Sequence, residues 1–328
     1  MRWMKAARVW SLALILALLT FMVLTADLGK VAGALTGIRW GWALWIPVLN
    51  LVNTLVEALR LSVILFPFHK QFHLRNAFSS ALVAILGNVM LPLRFGDGAR
   101  AYYIAKSEKI GLSSAASALM FDRIADFLAF FTLMAITAVF HPFPASVTRM
   151  GLVAGAIFAG AVGIILVVAG VGHKLGGENP TGKVRRRLGK EVSNFMAGLS
   201  AMRNAGLLFP ILCFSALSWL LRAAMIWFMF QAFGLELPLM ATPVTLILLN
   251  FGIAIVSTPA NLGGFELAMV GALKLFSVEI ELALSYALAL HVLEVAPIFA
   301  FGSIYLWLEG FKTRDVLKSA MDTQDPPG

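Results

Sequence analysis

The sequence predicts an all-α integral membrane protein of about six full transmembrane helices and two re-entrant or broken helical hairpins, arranged as an inverted-topology repeat. Three observations lead there. Of the 328 residues, 60% are hydrophobic and 13% charged, whereas roughly half of a soluble domain is apolar. Several apolar runs reach the roughly 20 residues that cross a bilayer core. Basic residues collect in particular connecting segments, as the positive-inside rule requires. The formal net charge of +9 is therefore read by membrane side, and no nucleic-acid partner is expected. The lone cysteine, Cys213, leaves no intrachain disulfide and no cysteine metal cluster. Neither a metal site nor a cofactor is expected.

The elements follow in order. The apolar run at 9–26 has the basic flank of a signal peptide, but it is long and lacks a small-x-small cleavage site, so it reads as a retained first span. Further spans are predicted near 41–66, 113–140, 150–172, 207–233 and 281–309. The N-terminal tail (Arg2, Lys5, Arg8), the 173–206 linker with its Arg185–Arg186–Arg187 run and the C-terminal tail (Lys312, Arg314, Lys318) are basic, hence cytoplasmic. The segments 69–76 and 94–109 are basic too. Both are cytoplasmic only if the apolar segment 77–93 enters and leaves by one side, and the same bookkeeping makes 240–275 re-enter from the other. Two ordinary short spans at each place would also close the count. The resulting organisation is a first repeat over 1–172 with a hairpin at 77–110, a cytoplasmic linker at 173–206, a second repeat over 207–310 with a hairpin at 240–275, and a cytoplasmic tail at 311–328.

Matched polar positions support the repeat. Arg60 lies inside a span and Asn88 follows 28 residues later; Arg222 lies inside a span and Asn250 also follows 28 residues later. The two arginine spans run in opposite directions in the predicted topology, the pattern of transporters whose broken helices meet at a midplane site.

Charges inside the bilayer are costly and mark candidate sites. In "LPLRFGDGAR" (91–100), Pro92 stops a helix, Gly96 permits a sharp turn, and Arg94, Asp97 and Arg100 surround it. That stretch is either an anion-binding nest or a cytoplasmic turn whose arginines meet headgroups. In "MFDRIADF", Asp122 and Asp126 share one helical face around Arg123, which suits an interhelical salt bridge or a proton-accepting site. In "TPANLGGFE", Pro259 breaks a helix, Gly263 and Gly264 allow close approach, and Glu266 either caps the next helix or accepts a proton. Arg60 and Arg222 are candidates to pair with Glu57, Asp126 or Glu266, or to hold a lipid phosphate. His291 and Glu294, three apart in the last span, suit pairing or proton relay. Neither G-x-S-x-G nor H-E-x-x-H occurs, and no enzymatic activity is expected.

At these residues the chain resembles a known family. "LPLRFGDGARAYYIAKSEKIGLSSAASALMFDRIADF" and "STPANLGGFELAMVGALKLF" are similar, in order, to the two signatures of the flippase-type transmembrane domain of lysylphosphatidylglycerol synthases. The resemblance covers roughly 10–310. Its matched positions are Gly96, Asp97, Arg100, Arg123, Asp126, Pro259, Gly263, Gly264 and Glu266. The sequence departs from the family at Asp122, where Glu is usual, at Ala260–Asn261, where Gly-Gly is usual, and at His291, where an arginine is usual. Ala260 would take a left-handed conformation only at a cost.

The resemblance implies movement of a phospholipid, a modified phospholipid or an isoprenoid- or hopanoid-type lipid between leaflets of a bacterial cytoplasmic (inner) membrane, with a separate lipid-synthesis enzyme as possible partner. The aminoacyl-transferase domain of some relatives is not in this sequence, so lipid modification is not expected of it. In the expected mechanism Arg60 and Arg100 neutralise a headgroup anion from the inner half and Arg222 from the outer half, while Asp97, Asp126 and Glu266 hold the arginines apart when the site is empty. A membrane-embedded lipid-modifying transferase and a non-catalytic scaffold of a lipid-synthesis complex are the alternatives.

Overall fold

The computed structural model describes residues 27–66, 72–90, 96–175, 205–255 and 258–308. Among the described residues every regular element is helical and no strand occurs. The helices are α1 (Leu28–Thr36), α2 (Trp40–Ala43), α3 (Trp45–Leu65), α4 (Leu74–Met90), α5 (Gly96–Ser107), α6 (Leu112–Phe140), α7 (Ala145–Leu175), α8 (Ala205–Phe233), α9 (Ala241–Ile255), α10 (Gly264–Lys274) and α11 (Ile280–Leu308), with a 3-10 turn at Pro259–Asn261 before α10.

Five segments are long and apolar enough to cross a membrane: Trp40–Leu65, Leu112–Phe140, Ala145–Ile164, Gly206–Phe233 and Ile280–Leu308. They coincide with five of the predicted spans, and the protein is an all-α membrane protein. The predicted span at 9–26, the tail at 311–328, Arg94 and nearly all of the 173–206 linker lie outside the described residues.

The segments at the two predicted hairpins are short. α4 has 17 residues and α9 has 15, about 25 Å and 22 Å at 1.5 Å per residue, against a hydrocarbon core of about 30 Å. The next described helix after each is shorter still, α5 with 12 residues and α10 with 11. Asn76, at the start of α4, donates from Nδ2 to Glu108, just beyond α5, at 2.5 Å. At the other end Gly96 N–H donates to Asn88 Oδ1 at 2.9 Å. The two helices are thus tied at both ends.

Helix boundaries extend the repeat beyond the arginine and asparagine pairs. Among the described helices the order long, short, short, 29-residue helix occurs twice, as α3–α6 and as α8–α11. Arg60/Arg222 and Asn88/Asn250 are each 162 residues apart, whereas Gly96/Gly264, Lys106/Lys274, Arg123/His291 and Asp126/Glu294 are each 168 apart. The six extra residues of the second repeat therefore enter at its break, where the Pro259–Gly263 turn lies.

The chain divides into two compact units. One takes in the described residues of Met1–Leu55, Ala81–Arg100 and Trp219–Gly328; the other takes in those of Val56–Ser80 and Ala101–Ser218. In the second of these, Leu61, Ile64 and Leu65 of α3 pack with Ile104 of α5, Phe121 of α6 and Ile211 of α8. Ala115, Ala118 and Ala125 put small side chains into this same core, which lets helices approach closely where the surrounding lipid supplies no hydrophobic drive. Phe127 and Phe131 of α6 meet Phe158 of α7 at ring-centroid separations of 5.6 and 5.5 Å.

In the first unit α11 is the central element. Its buried Tyr286 donates to the Ile226 carbonyl at 2.8 Å, and Leu284 packs on Val31 of α1. Asn50 of α3 donates to the Glu294 carbonyl at 2.7 Å, three residues ahead of Pro297, whose ring interrupts the helix hydrogen-bond ladder. α9 and α10 meet where Gly252 lies against Ala268; a Cβ on Gly252 would collide with that side chain. Trp42 packs edge-on to Trp227 at 5.8 Å and against Phe228 at 5.5 Å.

Candidate functional site

Two buried polar centres stand out, one in each unit. In the second unit Arg60 is 1% exposed. It donates from Nε to Asp122 Oδ1 at 2.7 Å and from Nη1 to Asp126 Oδ1 at 2.9 Å and Ser215 Oγ at 3.0 Å. The geometry follows from the local sequence: Asp122 and Asp126 are one turn apart on one face of α6, and the guanidinium fork reaches both. Glu57, one turn before Arg60 on α3, adds its negative charge to the same field. Removing one member of such a buried ion cluster typically costs about 3–5 kcal/mol, because the remaining charge is stranded. Arg60 is thus engaged with three protein oxygens, Asp126 among them as one of the pairings expected from the sequence. Arg123, between the two aspartates in sequence, is exposed.

In the first unit Asn88 and Gly96 meet at the start of α5. Gly96 has no room for a side chain, since a Cβ there would lie 2.6 Å from Asn88 Oδ1 and 2.8 Å from Asn88 N. Asp97 is half-buried and Arg100 buried, within the first turns of α5. In the second repeat Asn250 bonds back to its own helix, Nδ2 donating to the Leu246 carbonyl at 2.8 Å.

The second polar centre is built around the break before α10. Pro259 starts the 3-10 turn, and Ala260 and Asn261 are both left-handed, at φ 51° and 57°. Gly263 also has positive φ, 79°, and Gly264 opens α10. Glu266 reaches back and accepts the Gly263 N–H on Oε2 at 2.7 Å, satisfying one orphan donor of the helix N-terminus. Its other oxygen, Oε1, lies 2.5 Å from His291 Nδ1. His291 Nε2 lies 2.8 Å from the Ala260 carbonyl, and Phe265 stacks on the imidazole at 4.4 Å. His291 therefore joins α11 to the broken helix. Glu294, one turn further along, is half-buried and feels the charges of His291 and Arg222. Arg222 lies over the Trp219 ring at 4.9 Å.

A cavity of about 380 Å³ opens beside this pair, lined by Val89, Leu262, Glu266, His291, Val295 and Phe299 among others. A second, wholly apolar groove of about 320 Å³ runs along Leu35, Ile38, Trp40 and Leu293; Leu288 and Val292 of α11 border both. Among the described residues no group of three His, Cys, Asp or Glu side chains converges as metal ligands would.

Of the residues singled out from the sequence, the structure brings Arg60 together with Asp122 and Asp126, Asn88 with Gly96, and Gly263 and Glu266 with His291. Sequence reasoning missed Ser215, Asn50 and the Ala260 carbonyl. Ser215 and Asn50 are polar residues inside apolar spans, a signal that could have found them; a backbone carbonyl leaves none.

Comparison with known proteins gives two similarities. The sequence model of a family described as "Lysylphosphatidylglycerol synthase TM region" matches residues 8–302. The UPF0104 membrane protein MJ1078 of Methanocaldococcus jannaschii is 23% identical over 232 residues, which are 70% of this chain and 96% of that protein. The match over most of the chain assigns it to a family.

Proposed function

The chain belongs to the lysylphosphatidylglycerol synthase transmembrane family, and from that premise we propose that it is a lipid translocase moving a phospholipid, a modified phospholipid or an isoprenoid- or hopanoid-type lipid between leaflets. The observation that carries this reading is the 380 Å³ cavity, lined mostly by apolar side chains together with the Glu266–His291 pair. A hydrocarbon chain matches the apolar lining, and a polar headgroup matches the Glu266–His291 pair within it. Dragging a bare headgroup through hydrocarbon forfeits its hydration, at several kcal/mol per unpaired polar group. Non-helical backbone at membrane depth, facing a cavity, offers replacement partners. The Arg60 cluster supplies rigidity, and Arg100 and Arg222 are the cations proposed to meet a headgroup anion. The two repeats run in opposite directions in this reading, with α4–α5 and α9–α10 re-entering from opposite faces. The protein sits in a bacterial inner membrane with both termini cytoplasmic, receives its lipid from a separate synthesis enzyme, and performs no covalent chemistry itself.

The test is reconstitution into vesicles of phosphatidylethanolamine and phosphatidylglycerol with a fluorescent lipid in both leaflets. Dithionite added outside bleaches only the outer leaflet, so translocation appears as bleaching beyond half of the signal. The wild type is expected to bleach beyond half, and Glu266→Ala or Arg100→Ala, still folded, to stop at half. Equal bleaching by wild type and variants would remove the site assignment, and no bleaching by wild type beyond protein-free vesicles, for any lipid class co-purifying with it, would remove the translocase reading.

A further inference from the structure

The contact between Glu266 and His291 contains a hydrogen that the geometry makes obligatory. A carbonyl oxygen only accepts, so the 2.8 Å contact to Ala260 O requires a hydrogen on His291 Nε2. The 2.5 Å contact between Nδ1 and Glu266 Oε1 then needs one as well. It is either an imidazolium N–H donating to a carboxylate or a carboxyl O–H donating to a neutral imidazole. Without that hydrogen, a nitrogen lone pair faces a carboxylate oxygen. Neither partner is loose: Oε2 accepts the Gly263 N–H at 2.7 Å, Phe265 stacks on the ring, and the two side chains are 2% and 7% exposed.

The neighbouring charges are few. Glu294 lies one turn along α11 and Arg222 of α8 acts on it. Asn50 of α3 meets the Glu294 carbonyl with an uncharged amide. Around the pair and the adjoining face of α11, α1 and α4 offer apolar Val31, Leu35 and Val89.

The same contact holds a strained segment. Ala260 and Asn261 are consecutive left-handed residues, a conformation that L side chains adopt only when their surroundings enforce it. Within the turn, Asn261 N–H donates to the Thr258 carbonyl at 3.0 Å and Thr258 Oγ1 donates to the Leu262 carbonyl at 2.7 Å. Among the described residues the turn is tied to α10 by Gly263 N–H to Glu266 Oε2 and to α11 by His291 Nε2–H to Ala260 O.

We propose that Glu266 and His291 form a one-proton binding site that latches the Thr258–Gly263 turn to α11 at the wall of the cavity, and that loss of the proton releases the turn. The latched form holds one proton more than the released form, so by mass action raising the pH favours release and lowering it favours the latch. The ligand of this site is the proton itself. The assignment goes beyond translocation and does not depend on it.

Hydrogen–deuterium exchange of the full chain, in nanodiscs of phosphatidylethanolamine and phosphatidylglycerol, tests it. Amide protection in 258–263, corrected for the intrinsic pH dependence of exchange, is expected to fall about tenfold or more across about pH 5 to 9, while the 280–308 helix keeps its protection. His291→Arg carries a charge that is not lost in this range, and it is expected to keep the turn protected throughout. Glu266→Gln, which cannot release a proton, is expected to flatten the profile as well and serves if the arginine variant does not fold. A flat wild-type profile, or a step that survives in either folded variant, overturns the proposal.

Discussion

The Arg60 centre and the Glu266–His291 centre both bury ionisable side chains among long apolar helices, but they hold them by different means. Arg60 joins two uninterrupted helices through a permanent cation and two carboxylates. Glu266 and His291 join α11 to the helix after the Pro259–Gly263 turn through a 2.5 Å contact between a carboxyl oxygen and an imidazole nitrogen. The repeat makes the contrast sharper. Asp126 and Glu294 occupy position 15 of their 29-residue helices, and Arg123 and His291 occupy position 12. From equivalent positions Arg123 is exposed, while His291 is buried against the turn created by the six extra residues. One repeat is built to stay, and the other carries the cavity and the strained turn.

The largest expected effect breaks the first centre. Arg60→Met should destabilise the protein by about 3–5 kcal/mol, read from denaturant or thermal unfolding in detergent, with Asp122 and Asp126 left facing each other. Replacing both aspartates by leucine in that background should recover most of the loss. If Arg60→Met alone is neutral, this centre is not the lock described.

His291→Ala should cost less, about 1–3 kcal/mol by the same measurement, because Glu266 keeps its bond to the Gly263 N–H. A loss equal to that of Arg60→Met would erase the distinction between the centres.

Next comes a matched pair at the two hairpins. Gly96→Ala and Gly252→Ala should each cost about 1–3 kcal/mol through overpacking, the first against the Ala84 carbonyl and Asn88 and the second against Ala268. A much smaller cost at one of them would show that its helix pair can spread.

The smallest effect carries the opposite sign. Ala260→Gly should stabilise the folded protein by about 1 kcal/mol, since glycine takes the left-handed conformation without the Cβ clash.

The long helices were legible because about 20 apolar residues in a row leave few alternatives to a span. The break before α10 was legible at Pro259–Gly264, where proline and glycine disfavour continuation of a helix; Pro92 lies outside the described residues. Glu266 as a cap for α10 could be read from its place three residues after Gly263. Its second partner could not, because His291 lies 25 residues away and local spacing offered Glu294 instead. The same limit applied at Arg60: periodicity put Asp122 and Asp126 on one face, but whether that face met a guanidinium or a lipid depended on tertiary packing. The equivalence of Arg123 with His291 was hidden by the six-residue insertion, which shifts the repeat from a spacing of 162 to one of 168 and becomes visible only once helix ends are known.

The brevity of α4, α5, α9 and α10, at 17, 12, 15 and 11 residues, bears on how the protein is made. None offers the insertion machinery the roughly 20 apolar residues it partitions into lipid, and α5 brings Asp97, Arg100 and Lys106 with it. These segments are expected to wait at the membrane surface during synthesis until the 29-residue helices stand in the bilayer, and then to enter two at a time. The Asn76–Glu108 clasp would close only at that last step, making biogenesis slowest where the finished protein is most interrupted.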